Sequence, residues 1–88
     1  MQVLYKKSFQ KDLLKIRDRK LKESVAGIVE LAEKIKDPSS LPQLKKLKGF
    51  KNYFRIRIGD YRIGIQIIQS TITFVTIGHR KDIYKDFP

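Results

Sequence analysis

A chain of 88 residues and 10.4 kDa is long enough for one domain, spanning 1–88, and one compact core. With 41% apolar and 33% charged residues the balance is globular, and with no cysteine and a lone histidine disulfides, thiolate metal sites, a His-pair zinc site and a two-histidine ribonuclease mechanism are excluded. Twenty Lys and Arg against nine Asp and Glu give a net charge of +11; such an excess opposes compaction by self-repulsion and points to an anionic partner.

The opening MQVLYKKSFQKD lacks the apolar run of a signal peptide, and Gln2 to Tyr5 within it reads as a first short strand. Ser8 is a candidate N-cap, and Phe9, Leu13, Leu14 and Ile16 space a short helix over about 8–17. A second helix runs from about Lys20. Its apolar positions Leu21, Val25, Ile28, Val29, Ala32 and Ile35 step by three and four, an amphipathic stripe, and Asp37-Pro38 is expected to end it. The two helices read as a lid over a core. PSSLPQ (38–43) is a loop; Leu41, Leu44 and Leu47 recur every three residues and can anchor it to the core while Lys45, Lys46, Lys48 and Lys51 face outward.

From Tyr53 the period changes to two. Phe54, Ile56 and Ile58 point one way; Tyr53, Arg55 and Arg57 point the other. Gly59-Asp60 makes a two-residue turn whose leading glycine suits type II′. Tyr61, Ile63, Ile65 and Ile67 continue the apolar face, and Arg62, Gly64 and Gln66 the polar one. A turn near Gln69-Ser70 leads to a last strand over 72–79, after which the tail RKDIYKDFP leaves the sheet. The longest uncharged stretch, Ile63 to His79, is shorter than the roughly 20 apolar residues of a spanning helix. The expectation is a soluble, cytoplasmic α+β domain of order β-α-α-β-β-β, two N-terminal helices packed on one face of an antiparallel sheet, with no membrane partner.

The other face of that sheet is where chemistry is expected. Residues 1–44 carry +4 and residues 45–88 carry +7, with no acid between Pro38 and Gly59. With Gly59 and Asp60 as loop residues, Ile58 lies opposite Tyr61, Arg57 opposite Arg62, Arg55 opposite Gly64 and Tyr53 opposite Gln66. Directly opposed like charges are unfavourable on a sheet. Three guanidiniums concentrated there, beside a glycine that removes a side chain, describe a recess for phosphate. The plainer reading, the wet side of a hairpin, would mix signs, and only Asp60 does so here. Gly78-His79-Arg80 and Tyr84 follow the last strand and are candidates to join the recess.

Other chemistries fail on their residues. Gly59 to Gly64 has half the spacing of a phosphate-binding loop but lacks the Gly-Lys-Ser/Thr that completes one. Asp60, Asp82 and Asp86 are too few and scattered for a two-metal carboxylate site, and no nucleophile-elbow sequence accompanies His79. No metal or other cofactor is expected. A nuclease built from this chain would work through positive charge and proton transfer.

YFRIRIGDYRIGI (53–65) followed by ITFVTIGHRKDIY (72–84) resembles the RelE/ParE superfamily of bacterial and archaeal toxins, and the helical pair and length extend the resemblance to nearly the whole chain. The resemblance implies a toxin held inactive by a cognate antitoxin. RelE-like members enter the ribosomal A site and cleave mRNA without metal; ParE-like members poison DNA gyrase. The positions that carry RelE-type cleavage are filled here by Arg55, Arg57, Arg62, Arg80 and Tyr84. Arg55 and Arg57 stand where the family's best-known member has lysines. Guanidinium does not deprotonate in proteins, so these two can stabilise developing phosphate charge but cannot accept a proton. Tyr84 is then the candidate base and Arg80 the group that neutralises the phosphorane. His79 is a competing proton-transfer group, since imidazole titrates near neutral pH and some toxins of the superfamily use histidine.

The expected function is therefore a ribosome-dependent, metal-independent mRNA endoribonuclease that inhibits translation. Lys45, Lys46, Lys48 and Lys51 would position it on RNA, with the ribosome, mRNA and an antitoxin as partners. A non-enzymatic gyrase inhibitor and a plain basic RNA-binding module are the alternatives.

Overall fold

Alternating side chains and two tight turns fold the C-terminal half into a meander. Strands β3 (Tyr53–Ile58), β4 (Tyr61–Ile68) and β5 (Thr71–His79) pair antiparallel in sequence, with Ile58 opposite Tyr61 and Ile68 opposite Thr71. At the first turn Gly59 takes φ +56°, the left-handed first position that a type II′ hairpin needs. Gln69 occupies the same region at the second, with φ +52°. The computed structural model describes residues 1–85, 87 and 88; the acid expected at Asp86 lies outside the described residues.

Two further strands complete the sheet. β1 (Gln2–Tyr5) lies along the first half of β5, and β2 (Leu44–Lys46) lies along β3, giving the order β1-β5-β4-β3-β2. The order of the main elements is as the sequence predicts, but the sheet is mixed. β1 runs parallel to β5, with Gln2 opposite Thr71 and Tyr5 opposite Phe74, because the helical pair carries the chain across the sheet between strands. β2 falls in the passage read as a loop and its lysines. Its three residues pair with Phe54, Arg55 and Ile56, and Leu41 beside it is buried.

The helices α1 (Lys7–Leu14) and α2 (Arg19–Lys34) cover one face. Phe9 from α1 and Leu21, Val25, Ile28 and Ala32 from α2 meet Ile56, Ile63, Ile65, Ile72 and Phe74. Those five sheet residues have no exposed surface. Burying a side chain of this size contributes about 1.5–3 kcal/mol, so this layer holds the fold. α2 starts on Asp18, whose carboxylate accepts from the Leu21 N–H at 3.2 Å. It stops at Lys34, earlier than Asp37-Pro38, because Ile35 is already extended. Asp37 and Pro38 instead open a 3₁₀ turn, Pro38–Ser40, in which the Asp37 carboxylate accepts from the Ser39 N–H at 3.0 Å.

Ser8 is not the cap of α1. The N-cap is Lys6, with no side-chain bond, and the Ser8 hydroxyl donates to the carbonyl of Val75. A β-bulge explains this: the β4–β5 register steps from Gly64 opposite Thr76 to Ile65 opposite Phe74, which takes Val75 out of the ladder. Beyond β1 the edge of β5 is covered by α1, where Asp12 accepts from Thr76 Oγ1 at 2.6 Å and from the Ile77 N–H at 3.3 Å. A bare strand edge is thereby closed by a helix.

Candidate functional site

The register expected of the β3–β4 hairpin is the register observed: Tyr53, Arg55, Arg57 and Ile58 face Gln66, Gly64, Arg62 and Tyr61. Side chains paired across strands share a face. The face away from the helices therefore carries Arg57 beside Arg62 and, one pair along, Arg55 beside Gly64. β2 adds a residue to the row. Lys45 is the cross-strand partner of Arg55, so it stands beside the arginines rather than with Lys48 and Lys51 in the loop that follows. Sequence reading missed this because three residues are too few to show a strand's alternation. Lys45, Lys46, Lys48 and Lys51 are all exposed.

The Gly59-Asp60 turn fixes two of the guanidiniums. Arg62 Nη1 donates to the carbonyls of Gly59 at 2.8 Å and Tyr61 at 3.0 Å, folding the side chain back along its own hairpin. The Arg80 backbone N–H donates to the Asp60 carbonyl at 2.8 Å, and Arg80 Nε lies 3.8 Å from Asp60 Oδ1. Both ends of that ion pair are more than half exposed, where such contacts hold little energy; the backbone bond does the tethering. One turn thus gathers Arg57, Arg62 and Arg80 at one end of the face. Asp60, at the rim, is the acid paired with Arg80.

His79 is placed differently. It pairs with Tyr61, which alternates with Ile63 on the helix side, so His79 belongs to the face opposite Arg62. Its ring meets Tyr61 edge-on at 5.7 Å, and its Nδ1 accepts from the Lys81 N–H at 3.2 Å.

The tail does not leave the sheet. After a turn it forms a 3₁₀ segment, Ile83–Lys85, and returns across the basic face with Ile83 and Phe87 buried and Tyr84 exposed. The recess expected over Gly64 is therefore occupied. Phe87 lies so close that a Cβ on Gly64 would fall 2.7 Å from its ring, and the same ring meets Tyr53 edge-on with centroids 5.5 Å apart. An aromatic plug sits beside the basic row, with Arg55 on one side of Gly64 and Thr76 on the other; phosphate would have to lie along the rim of Arg57, Arg62 and Arg80 rather than on the glycine.

A hollow of about 690 Å³ lies elsewhere, between α1 and α2, among Phe9, Leu13, Leu14, Val25 and Val29. Its lining is mainly apolar, and its single cation, Lys22, shares the rim with the acid Glu30, whereas the basic face sets several cations side by side. Among the described residues, no three His, Cys, Asp or Glu gather as a metal site, and no helix is long and apolar enough to cross a membrane.

A basic sheet face under a C-terminal strap, backed by a helical pair, defines a class of small α+β domain. The profile of the family described as "ParE toxin of type II toxin-antitoxin system, parDE" matches residues 3–84. The chain is 40% identical over 89 residues to Toxin RelE3 of Methanocaldococcus jannaschii, covering the whole of both. Among solved structures, it matches the RelB-RelE antitoxin-toxin complex from Methanococcus jannaschii with a TM-score of 0.84 and 38% identity over 97% of this chain and 99% of that one. The archaeal RelE-RelB complex from Pyrococcus horikoshii OT3 matches at a TM-score of 0.73 and 20% identity over 92% and 96%, a likeness of fold. The chain belongs to the RelE/ParE superfamily of toxins of type II toxin–antitoxin systems.

Proposed function

We propose that this toxin is a ribosome-dependent, metal-independent mRNA endoribonuclease restrained by a cognate antitoxin. The observation that carries the reading is the pairing of Arg57 with Arg62, extended by Arg55 and Lys45 and closed by Arg80 at the turn. A fold gains nothing from opposed like charges, whereas a phosphodiester that becomes more negative in its transition state does. The relative from Methanococcus jannaschii, solved as a RelB-RelE antitoxin-toxin complex, supports an antitoxin as partner here.

In this mechanism the phenolate of Tyr84 accepts the proton of the ribose 2′-hydroxyl as that oxygen attacks phosphorus. The O2′–P bond forms, the P–O5′ bond breaks, the 5′-oxygen takes up a proton from water, and the products are a 2′,3′-cyclic phosphate and a 5′-hydroxyl. Arg57 and Arg62 hold the phosphate oxygens, Arg55 adds to the field, and Arg80 neutralises the phosphorane and assists the leaving oxygen. Tyr84 is preferred to His79 as base because the strand register turns His79 toward the helix side while the strap runs over the basic face. Lys45, Lys46, Lys48 and Lys51 supply phosphate contacts that position without choosing the cut.

The match to a family described by ParE favours a second reading, in which the same basic face binds DNA gyrase and cleaves nothing. Expression from a tight promoter separates the two. Primer extension showing codon-phased cuts within translated mRNA, ending in a 2′,3′-cyclic phosphate or its 3′-phosphate, is the expected result. Intact mRNA with DNA breaks would establish the gyrase reading instead.

A further inference from the structure

The strap is fastened at two points, and each fastening is a glycine. Gly78 lies opposite Arg62 and Gly64 opposite Arg55. A Cβ on Gly78 would lie 3.9 Å from Ile83 Cβ, ordinary contact, so Ile83 rests on that glycine. A Cβ on Gly64 would fall 2.7 Å from Phe87 Cε2 and Cζ and 2.8 Å from Cδ2, closer than side chains pack, so Phe87 can lie flat only where β4 has no side chain. Ile83 is 6% exposed and Phe87 4%, whereas Tyr84, between the two fastenings, is 47% exposed.

This division has a chemical meaning. A segment that only covered apolar sheet would turn its largest side chains inward. Here the strap buries Ile83 and Phe87 and presents Tyr84 outward, with Arg55 beside Gly64 and Arg62 beside Gly78. A proton acceptor must be held within a fraction of an ångström of its working place. Tyr84 directly follows the buried Ile83, and Phe87 adds a second seat three residues on.

We infer that Phe87 is a positioning residue: seated on Gly64, it holds the strap to the sheet and fixes Tyr84 over the basic face. The inference rests on the ribonuclease reading for its catalytic part, while the fastening itself does not.

The test compares Phe87→Ala, Phe87→Leu, Gly64→Ala and the double variant Gly64→Ala/Phe87→Ala in the full chain. Trypsin cutting after Lys81 and Lys85 reports strap opening, thermal melting reports the fold, and ribosome association and single-turnover cleavage at saturating toxin report function. Phe87→Ala and Gly64→Ala should each speed tryptic cutting and slow the cleavage step by roughly 10- to 100-fold, with association nearly unchanged. Phe87→Leu should recover most of the rate, and the double variant should be no slower than Phe87→Ala, since the two changes break one contact. Phe87→Ala covers the case in which Gly64→Ala does not fold. Unaltered tryptic cutting in Phe87→Ala would overturn the fastening. An opened strap with a wild-type or faster rate would overturn the positioning role, a faster rate marking Phe87 as a cover. If wild-type toxin leaves ribosome-bound mRNA intact, it is the ribonuclease reading that fails. Tryptic opening still decides the fastening.

Discussion

The two faces of the sheet are made by the same strands and treated in opposite ways. On the helix side, Ile56, Ile63, Ile65, Ile72 and Phe74 are sealed under two helices, and acids and bases mix along the outer surface of those helices. On the other side, arginines face one another and the cover is a strap anchored by Ile83 and Phe87. The first face is arranged for stability and the second at its expense, since opposed guanidiniums repel. A period of two lets one stretch of chain do both. The division predicts that substitutions should sort by face: those on the helix side lowering stability, those on the basic side lowering activity without unfolding the chain.

The largest effect is expected in the core. Phe74→Ala removes a fully buried ring and should destabilise the domain by about 3–5 kcal/mol, a large part of a typical stability of about 5–15 kcal/mol. Urea unfolding measures it, and a loss under about 1 kcal/mol would break the assignment of stability to that face. On the basic side, Tyr84→Phe should melt as wild type yet slow single-turnover cleavage by roughly 10²–10⁴, the usual contribution of a general base. Arg62→Ala should impair ribosome association and cleavage together. His79→Ala should stay within a few-fold of wild type; a large loss there with an active Tyr84→Phe would move the base to His79.

A smaller effect is expected of the lysines. Replacing Lys45, Lys46, Lys48 and Lys51 with Gln should weaken ribosome binding and flatten its salt dependence by up to about 0.7–0.9 per charge, with cut positions unchanged. Equal affinity across a salt titration would remove their role. The smallest effect sharpens the comparison most. Arg57→Gln relieves the repulsion with Arg62 and should stabilise the domain by roughly 0.2–1 kcal/mol while slowing cleavage. Parallel losses of both would show that the pair is not strained for function.

What the sequence disclosed follows from the range of the forces involved. The hairpin register was legible down to Arg57 against Arg62, because a two-residue turn and strict alternation leave one solution. The helical stripe was legible for the same local reason. β2 was not, since Leu44–Lys46 becomes a strand only by pairing with β3. Nor was the direction of β1, as alternation is the same read either way along a strand. The recess at Gly64 shows the limit most clearly. The glycine announces a missing side chain, but what fills the gap is Phe87, far along the chain, in a tail whose own pattern gives no hint of return. Ser8 misled because its hydroxyl bonds outward to a bulge that only the assembled sheet contains.

The parallel pairing of β1 with β5 has a consequence for when this protein comes into being. Gln2 meets Thr71, so that contact closes a loop of most of the chain, the kind whose entropy must be met before anything is gained. The β3–β4–β5 meander is local and can form early, whereas β1 must wait for the strand beside it to be synthesised. A nascent chain halted before Thr71 has its helices but neither the last strand nor Arg80 and Tyr84. Folding and the candidate chemistry are thus completed by the same late stretch of synthesis.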